Sequence, residues 1–274
     1  MARWQILSAT VGQSRRTRRI SVRKRLPNAP EGRSPSTHKP EPKWKRNLLW
    51  KNKLTRILLL VTALLTLAVW PALAENVPTQ PIHWDFEADP EGQSPSGFSF
   101  GRTGSGRLGQ WVIMAVADAP SGKHVLAQVD RDKTDFRFPV AVAGDVLLVN
   151  LRISVKCKPV SGEVDQSCGL LFRYQDENNY YVARANALEG NVRLYHVVNG
   201  DRRQFAGWNG SITAETWHEL LVKAHGDHLV VSWDGQQVID TRDQTFLKVG
   251  RVGLWTKADS VTYFDDLTVG PIGR

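Results

Sequence analysis

Cysteine is scarce in this chain. Cys157 and Cys168 are the only two among 274 residues, too few ligands for a cysteine-based metal site. The seven histidines are scattered without the spacing of a metal site or a catalytic triad, and His196 and His218 read as structurally satisfied. From Ile82 onward no segment sustains a helical apolar period of useful length, and no internal repeat is found. Acidic side chains are nearly missing from the N-terminal part: Glu31 and Glu41 stand alone against 16 Lys and Arg in residues 1–74, a net charge of +14. The other 200 residues carry 20 basic and 25 acidic side chains, a net of −5. The overall charge of +9 would ordinarily suggest nucleic-acid binding. The split removes that inference, because the basicity belongs to the leader and no nucleic acid is expected as a partner.

Charge is also absent from residues 57–70, a continuous apolar run. Lys51, Lys53 and Arg56 precede it and Pro71-Ala72-Leu73-Ala74 follows. A basic flank, a 14-residue apolar stretch and a small-x-small exit predict a signal peptide over 54–74, cleaved near Ala74. The run is shorter than the ~20 residues that comfortably span a bilayer. An uncleaved anchor would still leave the following domain outside, so a membrane enters only through the export signal or such an anchor. Residues 1–53 are rich in Arg, Lys, Pro and Ser without apolar periodicity, a composition expected to be disordered. A start at Leu54 would leave them untranslated. Residues 75–81 read as a linker and 82–274 as the working domain, expected to be secreted, periplasmic or on the cell surface.

In an exported chain, two cysteines eleven positions apart are a candidate disulfide. Cys157 and Cys168 would flank the loop 158–167 and staple the strands it joins; two buried free thiols are the alternative.

From Ile82 the chain alternates between short β-branched or aromatic runs and turn clusters such as Asn199-Gly200 and Asp234-Gly235. About fourteen strands are predicted, among them 84–87, 145–157, 179–187, 191–198 and 261–269. That number exceeds what a seven-stranded immunoglobulin-type sandwich needs. It predicts an all-β domain built as a two-sheet antiparallel jelly roll.

The segment Trp217-His218-Glu219-Leu220, Val222-Lys223, His228-Leu229-Val230-Val231 and Asp234-Gly235-Gln236-Gln237-Val238 resembles the late hairpin of the concanavalin A-like lectin/glucanase superfamily. Gly250-Arg251-Val252-Gly253-Leu254-Trp255 and Phe264-Asp265-Asp266-Leu267-Thr268-Val269 are similar to its closing strands, and Asp85-Phe86-Glu87 to its first. Gly169-Leu170-Leu171-Phe172-Arg173 and Asn178-Asn179-Tyr180-Tyr181 resemble laminin G-like members and the 3-keto-disaccharide hydrolase family. These are fold-level motifs and specify architecture better than activity.

Glucanases of this fold carry Glu-x-Asp-x-Glu on one strand. The nearest string here, Glu163-Val164-Asp165-Gln166-Ser167, ends in Ser and lies in a predicted loop. On the strand at 180–187 alternation puts Tyr180, Val182, Arg184 and Asn186 on one face and Tyr181, Ala183, Ala185 and Ala187 on the other. Arg193 and Tyr195 oppose Val192 and Leu194 on the next strand, and Arg173 is expected opposite Phe172 and Tyr174. A face bearing Arg173, Tyr180, Arg184, Asn186, Arg193 and Tyr195 offers planar donors and flat rings to sugar hydroxyls, carboxylates and CH-faces. An ordinary solvated face is the competing reading, and Trp111 and Trp255 either extend the platform or belong to the core.

Asp85 and Glu87 alternate together on the first strand, and Asp265 runs in phase with Val261, Tyr263, Leu267 and Val269. Resemblance to carbohydrate-binding modules of this fold implies a structural Ca²⁺ site, for which these carboxylates would be the ligands; an Arg partner or solvent is the alternative. No other cofactor is required. The expected partner is a glycan or polysaccharide bound by a lectin-like domain. A glycoside or 3-keto-glycoside hydrolase using Asp265 or Glu163, and a laminin G-like interaction module, are the alternatives.

Overall fold

The computed structural model describes Pro78 and residues 80–272. The expected extension (1–53), signal peptide (54–74) and most of the linker (75–81) lie outside the described residues.

Fifteen strands and no helix occur among the described residues. In chain order they begin with β1 (Ile82–Trp84), β2 (Phe98–Gly104), β3 (Trp111–Ala115), β4 (His124–Gln128) and β5 (Arg137–Ala143). Next come β6 (Leu151–Ser161), β7 (Ser167–Asp176), β8 (Asn179–Asn186), β9 (Asn191–Val198) and β10 (Asp201–Asn209). The last five are β11 (His218–His225), β12 (His228–Trp233), β13 (Gln236–Arg242), β14 (Arg251–Trp255) and β15 (Val261–Pro271). All pair antiparallel in two sheets. The first has the order β13-β12-β11-β6-β15-β4-β3, with β1 added to β15. The second runs β10-β9-β8-β7-β14-β5-β2. The domain is the two-sheet jelly-roll sandwich expected from the alternation of strands and turns.

Alternation explains the core. Ile153, Val155, Leu220, Val222, Leu229, Val231, Phe264 and Leu267 from the first sheet meet Leu170, Phe172, Tyr181, Ala183, Leu194 and Leu254 from the second. Intervening residues on the first sheet are more exposed, as β6 illustrates with buried odd positions and accessible even ones. Cys157 on β6 and Cys168 on β7 form a disulfide, with Cα atoms 6.2 Å apart. It ties the two sheets together beneath the loop that connects them.

Local departures from the expected strands have physical causes. The first strand stops at Trp84 rather than continuing to 87, because Phe86 adopts a left-handed φ of 60°. Residues 145–150 read as the start of a strand, yet the chain there crosses from the second sheet to the first and makes only the single bridge Leu148–Gly250. β2 went unpredicted; at its Gly101 an added Cβ would meet the end of the Glu177 side chain. In β15 a left-handed Asp266 (φ 50°) inserts a bulge between Asp265 and Thr268. Phe264 and Leu267 therefore both face the core, and Asp265 is not in phase with Leu267 and Val269.

Candidate functional site

The outer face of the second sheet carries a second apolar layer. Phe138, Val140, Val142, Leu171, Tyr174, Tyr180, Val182, Tyr195, Val197 and Trp255 form it; Val140, Val142, Leu171, Tyr180, Val182, Tyr195 and Trp255 alternate with core-facing neighbours on their strands. This face is concave. Thr103 on β2 and Tyr180 on β8 are four strand spacings apart, roughly 19 Å in a flat sheet, yet the two hydroxyl oxygens are 2.8 Å apart. Arg202 on β10 likewise reaches Phe138 on β5, 4.6 Å from its ring centroid.

Five of the six residues expected on this face share it. Register across the sheet aligns Arg184 with Arg193, Val182 with Tyr195, and Asn186 with Asn191. Arg173 does not join them. Its left-handed φ of 49° is a bulge that breaks alternation between Phe172, in the core, and Tyr174, on the outer layer. The Arg173 guanidinium is fully buried and donates to the carbonyls of Val149, Phe246 and Gly226 at 2.7–2.9 Å. It is a structural clamp.

The other five are also less open than a solvated platform. Tyr180 is fully buried and burial pushes its hydroxyl up to about 12. Asn186 caps the following turn through the amides of Leu188 and Glu189. Arg193 donates to the Trp208 carbonyl at 2.7 Å and to Asn209 Oδ1 at 2.6 Å. Arg184, almost fully buried, pairs with Glu189 at 2.7 Å and also donates to Asn191 Oδ1 at 2.7 Å and to the Tyr195 hydroxyl at 3.1 Å. Trp255 belongs to this outer layer, stacked on Phe138 with centroids 5.4 Å apart. Trp111 is in the core between the sheets.

Four charged residues not placed on this face from the sequence complete the site: Asp165, Asp259, Lys257 and Arg202. Asp165 sits in the β6–β7 loop and is fully buried. The loop is fixed by Asp259, whose carboxylate accepts the backbone amides of Glu163, Val164 and Asp165 at 2.8, 3.0 and 3.1 Å. Ser167 donates to one Asp165 oxygen; the other is 3.4 Å from the Lys257 ammonium. Desolvation raises the Asp165 pKa against the opposing pull of Ser167, Arg184 and Lys257. Arg202 lies between the rings of Tyr195 and Phe138, 4.4 and 4.6 Å from their centroids. Burial lowers its pKa.

Buried polar atoms without partners converge here. Arg184 Nε, Asn186 Nδ2 and Arg202 Nη1 lack a hydrogen bond, and Asp165 Oδ2 has only the Lys257 ammonium at 3.4 Å. Such groups are rare in a folded interior, because each costs roughly 1–3 kcal/mol. Their concentration beside aromatic rings sets donors and an acceptor within one buried aromatic layer.

The carboxylates expected to hold Ca²⁺ are placed differently. Glu87 accepts the amide of Lys123 at 2.8 Å, and Asp265 accepts those of Ser121 at 2.9 Å and Asp266 at 2.7 Å. Both therefore cap the turn after β3. Asp85 lies beyond the end of β1 and accepts the Glu87 amide at 3.2 Å. Among the described residues no three His, Cys, Asp or Glu side chains are grouped to hold a metal ion. Glu163 pairs with Lys133 at 2.6 Å and is mostly exposed.

No protein-family model matches the sequence, and no curated protein matches it. Solved structures do. A carbohydrate-binding module from Bacillus subtilis, CBM66, aligns at 19% identity over 64% of this chain and 95% of its own, with a TM-score of 0.51. A structure described as a native glycosidic hydrolase aligns at 13% identity over 72% of this chain and 98% of its own, with a TM-score of 0.50. At such identities the likeness shows the fold alone, the two-sheet jelly-roll sandwich expected from the sequence.

Proposed function

We propose that this domain binds carbohydrate on the concave outer face of the second sheet. The observation that carries the reading is the gathering of incompletely hydrogen-bonded polar atoms from Arg184, Asn186 and Arg202, with the Asp165 carboxylate, beside the aromatic layer of one sheet face. Sugar hydroxyls donate and accept in pairs, and sugar CH-faces stack on rings, so one ligand class meets both needs. The named carbohydrate-binding module of the same fold supports this choice. Export is part of the reading: the signal expected over 54–74 would deliver the domain to a compartment where the Cys157–Cys168 bridge persists.

A glycan array tests it. The protein is expected to retain at least one saccharide, and Arg184→Met to weaken that binding tenfold or more. Retention of no saccharide, or equal binding by the variant, overturns the proposal.

One observation favours a hydrolase on the same face. Asp165 has a raised pKa, from desolvation, and Glu189 a lowered one, where partial burial is outweighed by hydrogen bonds from Arg184 and Asn191. Carboxyls held apart in proton affinity are the starting point for acid–base work. Release of reducing ends from the bound saccharide, abolished by Asp165→Asn, distinguishes this reading from binding alone.

A further inference from the structure

Arg202 differs from its charged neighbours in having no acidic partner. Arg184 pairs with Glu189, Arg203 with Asp201, Arg137 with Asp130 and Lys257 with Asp135. The Arg202 guanidinium is instead enclosed by rings: Tyr195 and Phe138 at 4.4 and 4.6 Å, and Trp255 at 5.7 Å. Its Nη1 is buried and makes no hydrogen bond. Cation–π contact offsets part of the desolvation, but a ring face supplies no in-plane acceptor.

A guanidinium stays charged at every physiological pH, so this is a partly buried cation that feels Asp165 only at a distance and makes no ion pair or hydrogen bond with it. The rings cover the guanidinium with apolar surface and leave the hydrogen-bonding capacity of Nη1 unmet. A group that meets a planar fork edge-on with two acceptor atoms and a negative charge is a carboxylate. A neutral hydroxyl would satisfy the hydrogen bond and leave the charge uncompensated. Arg193 on the adjacent strand makes its hydrogen bonds to a carbonyl and an amide, again without an acid. These two cations stand on a polypeptide that is net acidic from residue 75 onward, with 20 basic against 25 acidic side chains.

We propose that the saccharide bound on the concave face is a carboxylated one, a uronic-acid-containing glycan whose carboxylate sits in the fork of Arg202. The inference rests on the carbohydrate-binding reading and narrows its ligand class.

Titration with oligosaccharides of polygalacturonate, alginate and hyaluronan, each beside its carboxyl-reduced counterpart, tests it. At least one acidic oligosaccharide is expected to bind tenfold or more tightly than its reduced form. Arg202→Met is expected to remove that preference, weakening the acidic form tenfold or more beyond any loss shared with the reduced form. Arg203→Met deletes the same charge from the next position along β10 and is expected to change neither. If Arg202→Met fails to fold, Arg202→Lys keeps the charge without the fork and is expected to lose tenfold. The wild-type comparison of acidic and reduced ligands needs no variant. Equal binding of both forms overturns the carboxylate and leaves saccharide binding intact; absence of binding to either series and to neutral glycans overturns both.

Discussion

The carboxylate of Asp259 accepts the backbone amide of Asp165 at 3.1 Å, and the amides of the two preceding residues as well. One nearly buried side chain thus organises the β6–β7 loop and sets Asp165 against Arg184 and Lys257. Asp259→Ala leaves three amides without their acceptor. The expected result is a loss of roughly 2 kcal/mol or more of stability, with a matching loss of saccharide affinity. Denaturant unfolding and ligand titration check this; a variant as stable and as tight-binding as the parent contradicts it.

The disulfide anchors the same loop from below. A bridge between Cys157 and Cys168 closes a short loop and is expected to contribute about 2–3 kcal/mol. Unfolding with and without reductant measures the difference. Two thiols titratable in the unreduced protein would contradict the bridge.

Gly169 lies under Trp255. A Cβ there would come within 3.0 Å of the indole Cε3 and 3.2 Å of the Trp255 Cβ, and the indole is held from elsewhere by Phe138. Gly169→Ala is expected to cost about 1–3 kcal/mol of stability and to weaken saccharide binding by displacing the ring. Unchanged unfolding and affinity would show that the ring has room to move.

Asp265 carries a pH signature. Burial pushes its carboxyl up to about 6, although the Ser121 and Asp266 amides oppose the shift; its ordinary value is about 4. The folded state therefore holds the proton more tightly than the unfolded chain. Acidification from about 6 towards about 4 should favour folding through this group, and that contribution is lost as pH rises through the same window. Unfolding free energies of the parent and Asp265→Ala across this range are expected to diverge in favour of the parent as pH falls. A constant difference would mean that Asp265 titrates normally.

How much of this was legible in the sequence depends on range. Alternation is local, so the partition of Tyr180, Val182, Arg184 and Asn186 from Tyr181, Ala183 and Ala185 followed from period two alone. The turn pairs likewise marked the hairpins at Gly200 and Gly235, both with positive φ. Bulges were invisible: Arg seldom takes the left-handed backbone seen at Arg173, and Asp, which takes it more often, gives no sign at Asp266 beyond its type. Each shifted a charged side chain off its expected face. Curvature was also illegible. Arg202 meets Phe138, 64 positions away in the chain, because the sheet curls, and no window of sequence contains that contact. Asp165 stood inside the failed Glu-x-Asp-x-Glu string; its burial became apparent once Asp259 was seen to hold the loop.

The most direct test of the account is amide and indole NMR mapping of the protein saturated with the saccharide it binds most tightly. Perturbations are expected to cluster at the Trp255 indole and the backbone of Asp165, Arg184, Tyr195 and Arg202. Perturbations confined to the first sheet, or to loops outside the concave face, would contradict it.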